Sequence, residues 1–393
     1  MKIGILTYHR SINYGAVMQA YALACRLNEM NGVVAEIIDY TSPQMDIYYC
    51  LFTLYRGKRS LFQLGARLQM YRAFNKTINK LPLSLQKLKN CSQKKFYRHV
   101  YEKYDLIVVG SDAVWNYEKR GLPNPYFLLD STGSKHVSYA ASCNGINYNR
   151  LDEEKLSILK QAFERFEYLG VRDTLTENVV FRALGEHKTK HNCDPTLLLN
   201  FEKDGLNDSI LNHLRKKLIN KYGASPNKKY IGLMLSNLNG DLAKVLVAEL
   251  KKRYADTHQI VSIYSYCAYA DIPYVADLTP FEWARIFSLF DITFTKYFHG
   301  TLLSLKNLTP VISLSAEKSL YDMPAKVEDV LKRMNLLDFY WPARNAADIS
   351  WECLMQKVDS LICIPPKEKM RQAVDKEATY ANDFFDYLKN ILT

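Results

Sequence analysis

Short apolar runs and amphipathic stretches alternate along most of the chain. "KIGILTY" (2–8) has the length and continuity of a buried strand, and residues 15–30 then place Val17, Ala20, Tyr21, Ala24 and Leu27 on one helical face that stops near Gly32. "VVAEIID" (33–39) is the next strand. The pattern continues through "DLIVVG" (105–110), "HVSYAAS" (136–142), a helix over 152–166, "YLGVR" (168–172) and a helix beginning near Thr174. Residues 200–229 read as a passage between domains that contains a helix. The alternation then restarts with "YIGLML" (230–235), a helix over 241–254, "QIVSIYSY" (259–266), a helix over 280–290, "DITFT" (291–295), a helix after His299, and "PVISLS" (310–315). Residues 366–393 close the chain as a long amphipathic helix. Strands alternating with helices predict parallel sheets covered on both faces. The expected fold class is therefore α/β, with two doubly wound, Rossmann-like domains facing a cleft. The first spans 1–199 with a basic helical insertion at about 45–103, and the second spans 200–365. Such folds bind ligands outside the carboxyl ends of their strands.

Composition narrows the class. The 393 residues are 48% hydrophobic, which suits a globular protein of two ordinary domains. No apolar run approaches the ~20 residues that span a bilayer, and Met1-Lys2 leads directly into the first strand, so a cytoplasmic protein is expected. The eight cysteines are scattered without a CxxC pair, which reads as reduced core thiols, with neither metal nor disulfide expected. The formal net charge of +11 is local: thirteen Lys and Arg stand between Arg56 and Lys103 against Glu102 alone, so this segment carries the whole excess. "YRGKRSLFQLGARLQMYRAFNK" interleaves Tyr, Phe and Leu with these cations, a pattern that suits a helix on an anionic surface as well as a solvated insertion packed on the protein. No nucleic-acid recognition motif accompanies the charge, and no nucleic-acid partner is expected.

Candidate chemistry falls at the strand ends. After the first strand, Asn13, Tyr14 and Gly15 precede a helix whose free backbone N–H groups suit an anion, and an ordinary strand-to-helix turn uses the same residues. After "DLIVVG" come Ser111, Asp112, Trp115 and Asn116, a polar set with a tryptophan that a plain turn does not need. Arg172 ends "YLGVR" with a guanidinium fit for carboxylate or phosphate, or for a surface salt bridge. His299 follows "DITFT" and opens a helix, where an imidazole near pH 7 gives or takes a proton; a lone histidine is more often structural.

Six segments in order resemble the polysaccharide pyruvyl transferases: "ILTYHRSINYGAVMQAYAL" (5–23), "DLIVVGSDAVWN", "VSYAASCNG" (137–145), "GVRDTLT" (170–176), "DPTLLL" (194–199) and "PFEWARIFSLFDITFTKYFHGTLLSLKNLTPVI" (280–312). The resemblance implies a two-domain architecture of the glycosyltransferase type called GT-B. It also implies transfer of pyruvate from phosphoenolpyruvate to two sugar hydroxyls as a cyclic ketal, without a further cofactor. The family's Thr-x-Arg/Ser-Phe/Tyr-His-Gly motif matches "TKYFHG", which makes His299 the implied acid/base and places Gly300 at the site. Tyr297 stands where many members have Arg or Ser, leaving Lys296 or Arg172 as the anion anchor. Asp112 accepts a hydroxyl proton or orients the acceptor. The implied acceptor is a lipid-linked or oligosaccharide sugar, with the basic segment docked on an anionic membrane surface at its inner face. A nucleotide-sugar glycosyltransferase shares such a fold, and a catalytically inactive scaffold of a capsule-building complex is the non-enzymatic alternative.

Overall fold

The computed structural model describes residues 1–42, 61–89, 91–129, 134–235, 240–316 and 324–392. Strands of the first half are β1 (Lys2–Leu6), β2 (Val34–Ile37), β3 (Tyr40–Thr41), β4 (Leu88–Lys89), β5 (Leu106–Val109), β6 (Lys135–Ala141), β7 (Tyr168–Val171) and β8 (Thr189–His191). Its helices are α1 (Tyr14–Asn28), α2 (Leu61–Ile78), α3 (Gln93–Lys103), α4 (Tyr117–Arg120), α5 (Glu153–Phe163) and α6 (Thr174–Leu184). The main sheet is parallel throughout, in the order β2-β1-β5-β6-β7-β8, and β3 and β4 form a separate parallel pair. β5 and β7 are buried at every position, as a sheet with helices on both faces requires.

The second half contributes α7 (Asp208–Tyr222), β9 (Lys229–Met234), α8 (Gly240–Tyr254), β10 (His258–Ser262), α9 (Pro280–Ile286), β11 (Phe290–Thr295), α10 (Phe298–Lys306), β12 (Val311–Ser313), α11 (Lys326–Arg333) and α12 (Trp351–Cys363). Its parallel sheet runs β10-β9-β11-β12. The strand order reverses direction at β1/β5 in the first sheet and at β9/β11 in the second, which creates a crevice at the carboxyl edge of each. Registers set these edges level: Leu6 pairs with Val109, and Thr295 pairs with Met234.

Three expectations are corrected by packing. The closing stretch is two helices, α13 (Lys367–Ala378) and α14 (Asn382–Leu392), joined by a turn at Thr379–Ala381. Asn192 Nδ2 donates to the carbonyl of Tyr380 in that turn, and the change of direction brings Phe384 onto Tyr139 and Tyr168 beneath the first sheet. The "QIVSIYSY" strand ends at Ser262, because Ser262 Oγ turns back to the carbonyl of Ser265. Among the described cysteines, all free, Cys353 and Cys363 are exposed rather than in the core.

The basic segment is partly described; Arg56, Lys58 and Arg59 lie outside the described residues. On α2, Phe74 and Ile78 are buried, with Phe74 against Tyr14, while Leu64, Leu68 and Tyr71 face outward on the same side as one another. Arg72, Lys76, Lys80, Lys94, Lys95 and Arg98 are exposed, whereas Lys103 pairs with Glu36 at 2.5 Å.

Candidate active site

The two carboxyl edges face one another across a cleft. From the first half, Asp112, Asn144 and Arg172 line it just beyond strand ends, and Asn13 lines it at the start of α1. From the second come Met234, Tyr264, Trp283, Tyr297, Phe298, His299, Gly300 and Lys326. Residues from nine segments therefore meet only because both sheets point the same edges at each other.

His299 is the second residue of α10, and its ring lies over the backbone of Gly15. A Cβ on Gly15 would stand 2.0 Å from His299 Nδ1, so only glycine leaves room for the imidazole. His299 Nε2 approaches Asp194 Oδ2 at 3.4 Å, close enough for an ion pair but too loose to satisfy the nitrogen as a hydrogen bond. Asp194 is fully engaged. Its Oδ1 accepts from the Thr196 backbone N–H and Oγ1, at 3.0 and 2.7 Å, and its Oδ2 accepts from Arg172 at 2.9 Å. Burial alone would raise its carboxyl pKa; the charges of His299 and Arg172 and the hydrogen bonds overcome that and hold it well below the usual carboxylate range. One carboxylate thus orients both the histidine and the arginine.

Arg172 is buried, with its guanidinium 4.7 Å above the Phe298 ring and its Nε without a partner among the described residues. Burial works against its charge, but Asp194, Asp112 and Asp173 around it raise its pKa above the ordinary value. This is a buried ion pair in the cleft, not the surface salt bridge that the sequence also allowed. The turn behind it is held from the second half: Asp329 accepts from the Thr174 backbone N–H and Oγ1, and Arg333 pairs with Asp329 at 2.7 Å. Both residues lie on α11, whose first residue, Lys326, reaches the cleft.

Helix ends complete the electrostatics. No side chain caps α10 or α11, so their first-turn N–H groups carry partial positive charge toward the cleft. The end of α1 differs from the sequence expectation: Asn13 Oδ1 accepts from the Gly15 and Ala16 N–H groups at 3.1 and 3.4 Å, which occupies the donors an anion was expected to use. Gly15 serves by leaving space instead. Asp112 adopts φ 77°, a left-handed conformation that few residues other than Gly, Asn and Asp adopt readily, and such positions cluster at functional sites.

Residues 13–317 match the family model for polysaccharide pyruvyl transferase. The chain belongs to that family. No curated protein matches it. Among solved structures, UDP-GlcNAc 2-epimerase from Neisseria meningitidis, bound to UDP-GlcNAc, superposes with a TM-score of 0.50 at 11% identity, covering 97% of this chain and 96% of that one. MnaA from S. aureus, solved with UDP, gives 0.51 at 10% identity over 100% and 96% of the two chains. The wall teichoic acid polymerase TagF, as an H444N variant, gives 0.50 at 12% identity over 100% and 90%. These likenesses establish a GT-B-like fold and, at such identities, nothing further.

The placement of the remaining sequence candidates on this pyruvyl transferase is mixed. Tyr297 and Gly300 line the cleft; a Cβ on Gly300 would meet Thr295 Oγ1 at 2.5 Å and Met234 Sδ at 2.6 Å, so glycine seats α10 on the strand ends. Trp115 does not face the cleft. It is buried among Phe127, Phe163 and Phe166, and its Nε1 donates to the Tyr126 carbonyl, so the core accounts for the tryptophan. Ser111 is likewise buried outside the lining, with its carbonyl accepting from Thr7 Oγ1. Lys296 lies outside the lining; burial lowers its pKa and Asp348 partly opposes that. Sequence reasoning missed Asp194, Tyr264, Trp283 and Lys326. Asp194 carried a visible signal in "DPTLLL", but a local N-cap explains only one of its two oxygens.

Proposed function

We propose that this chain transfers the enolpyruvyl group of phosphoenolpyruvate onto two hydroxyls of a sugar in a surface-polysaccharide precursor, closing a pyruvate ketal and releasing phosphate. The observation that carries this reading is Asp194 Oδ2 shared between Arg172 and His299 at the mouth of the uncapped α10. The donor brings a carboxylate and a phosphate, which Arg172, Lys326 and the helix N–H groups suit. With Nε2 turned to Asp194, Nδ1 of His299 delivers a proton to the donor's methylene carbon, and C2 becomes cationic. A sugar hydroxyl then bonds to C2 and gives its proton to Asp112. The second hydroxyl gives its proton to the now neutral His299 Nδ1 as its oxygen displaces phosphate, which leaves with the C–O electron pair, and the ring closes. The donor is a substrate, and the scheme calls for no further cofactor.

Incubating the protein with phosphoenolpyruvate and lipid-linked or soluble oligosaccharides, followed by mass spectrometry, should reveal a pyruvyl mass gain alongside phosphate. Release of a nucleoside diphosphate from a nucleotide sugar instead would replace this reading with glycosyl transfer.

The proposal includes a lipid surface beside the cleft. No helix among the described residues is long and apolar enough to cross a membrane. The outward stripe Leu64, Leu68 and Tyr71, flanked by Arg72 and Lys76, suits the anionic inner face of a membrane, where each Lys or Arg near the surface adds about 1 kcal/mol. Changing Leu64, Leu68 and Tyr71 to Gln should abolish low-salt co-sedimentation with phosphatidylserine vesicles; equal sedimentation would assign α2 to another role.

A further inference from the structure

The cleft has two chemically different walls. One is cationic, with Arg172, Lys326 and the start of α10. The other is aromatic: Tyr264 and Tyr297 touch at a ring separation of 4.1 Å, and Trp283 stacks on Tyr14 at 5.0 Å and 12°, with Tyr264 at 6.2 Å from Tyr14. The donor proposed above makes no use of that second wall.

Trp283 marks it as built for a ligand. It is 1% exposed, lines the cleft, and its Nε1–H has no acceptor among the described residues. A buried donor without an acceptor is destabilising, and native proteins rarely leave one unmade. The position is also enforced: Trp283 sits on α9, fixed by a reciprocal capping box between Thr279 and Glu282, with Lys217 pairing with Glu282 at 2.5 Å. Tyr264 reaches the cleft because the strand before it stops at Ser262.

We propose that Tyr264, Tyr297 and Trp283 form the acceptor face of the site, holding an uncharged pyranose ring. This rests on the pyruvyl-transfer reading of the same cleft. The C–H face of a pyranose lies against aromatic rings, while its hydroxyl oxygens accept from donors such as Trp283 Nε1–H. A nucleobase fits less well. Tyr264 and Tyr297 already touch and are inclined at 38°, so they offer no parallel slot for a flat base between them. The arrangement sets the neutral sugar opposite the anionic donor, with His299 between the walls and Asp112 beside the incoming hydroxyl.

The test uses the full chain and two separate binding measurements. Saturation-transfer NMR with a panel of methyl pyranosides reads the aromatic wall, and calorimetry with phosphoenolpyruvate reads the cationic wall. Tyr264→Ala, Tyr297→Ala and Trp283→Phe are compared with wild type after thermal melts verify folding. We expect at least one pyranoside to bind wild type, about tenfold weaker binding in each variant, and unchanged phosphoenolpyruvate affinity. Trp283→Phe keeps a ring and removes the N–H, so its loss reports the hydrogen bond rather than collapse of the wall. Pyranosides that bind all variants equally, that fail to bind wild type, or that are displaced by uridine each overturn the proposal. Failure of phosphoenolpyruvate alone, with sugar binding intact and sensitive to these variants, instead removes the donor assignment and leaves the aromatic face standing.

Discussion

Helices α1 and α10 each reach two concave regions, one at either end. Their N-terminal ends meet at the cleft with Gly15 and His299, and their C-terminal ends meet at a wider groove lined by Arg26, Leu197, Leu199, Phe201, Lys306 and Ala378. The groove is the larger, at about 840 Å³ of open space against about 530 Å³ for the cleft. Size therefore does not choose the site. At the groove, Arg26 and Lys306 lie in the last turns of their helices and α13 ends there at Ala378, so the cations face carbonyl-rich termini whose partial negative charge they complement. Arg26 is further tied to Asp204 and to Glu29. At the cleft the helix polarity is opposite, and Arg172 keeps its Nε without a partner among the described residues. Positive groups gathered around open donors suit an anionic ligand; cations spent on helix ends suit the fold.

The largest test of that contrast removes the proton-transfer group. His299→Ala should lower turnover by on the order of 10²–10⁴ with the melting temperature preserved. Near-normal turnover in a folded variant would exclude His299 from the chemistry.

Asp194→Asn should come next, because it leaves Arg172 and His299 without their shared carboxylate. Turnover should fall by about 10²-fold or less, and stability should acquire a different acid limb. A carboxyl held low in the folded state stabilises above its unfolded pKa of about 3.9, and that contribution is lost as pH falls below it. The wild type should thus lose melting temperature between pH 5 and pH 3 more steeply than the variant. Superimposable profiles would mean that the ion pair is not formed in solution.

Gly15→Ala adds a single carbon where His299 sits, and one misplaced ångström in an active site costs about 10²-fold at most. We expect a turnover loss of roughly tenfold or more with a change in melting temperature of a few degrees. An unaffected kcat would show that the imidazole works from another position.

The smallest effect belongs to the groove. Lys306→Gln should destabilise by roughly 0.3–1 kcal/mol through the end of α10 while leaving KM for phosphoenolpyruvate within twofold. A large rise in that KM would place ligand binding at the wrong end of the helix.

Alternation of apolar runs with amphipathic helices was enough to determine two parallel sheets and to put His299, Arg172, Asp112 and Asn13 at strand ends, because strand and helix periods are local properties of the chain. The basic stretch was equally legible as a charge count. Which strand-end residues meet was not. Trp115 follows the same strand end as Asp112, yet the backbone turns it into the core beside Phe163, while φ 77° at Asp112 turns that residue toward the cleft. Asn13 reads as an anion site until its own side chain is seen to take the amides. Asp194 reads as a cap until β7 and α10 bring Arg172 and His299 to its other oxygen. Tyr264, Trp283 and Lys326 belong to three further segments of the second half and join the site only when the two sheets face each other. Local pattern sets which residues stand at an edge; only the packing of distant segments, fixed by strand register and by shared apolar cores, decides which of them share a charge, a hydrogen bond or a ligand.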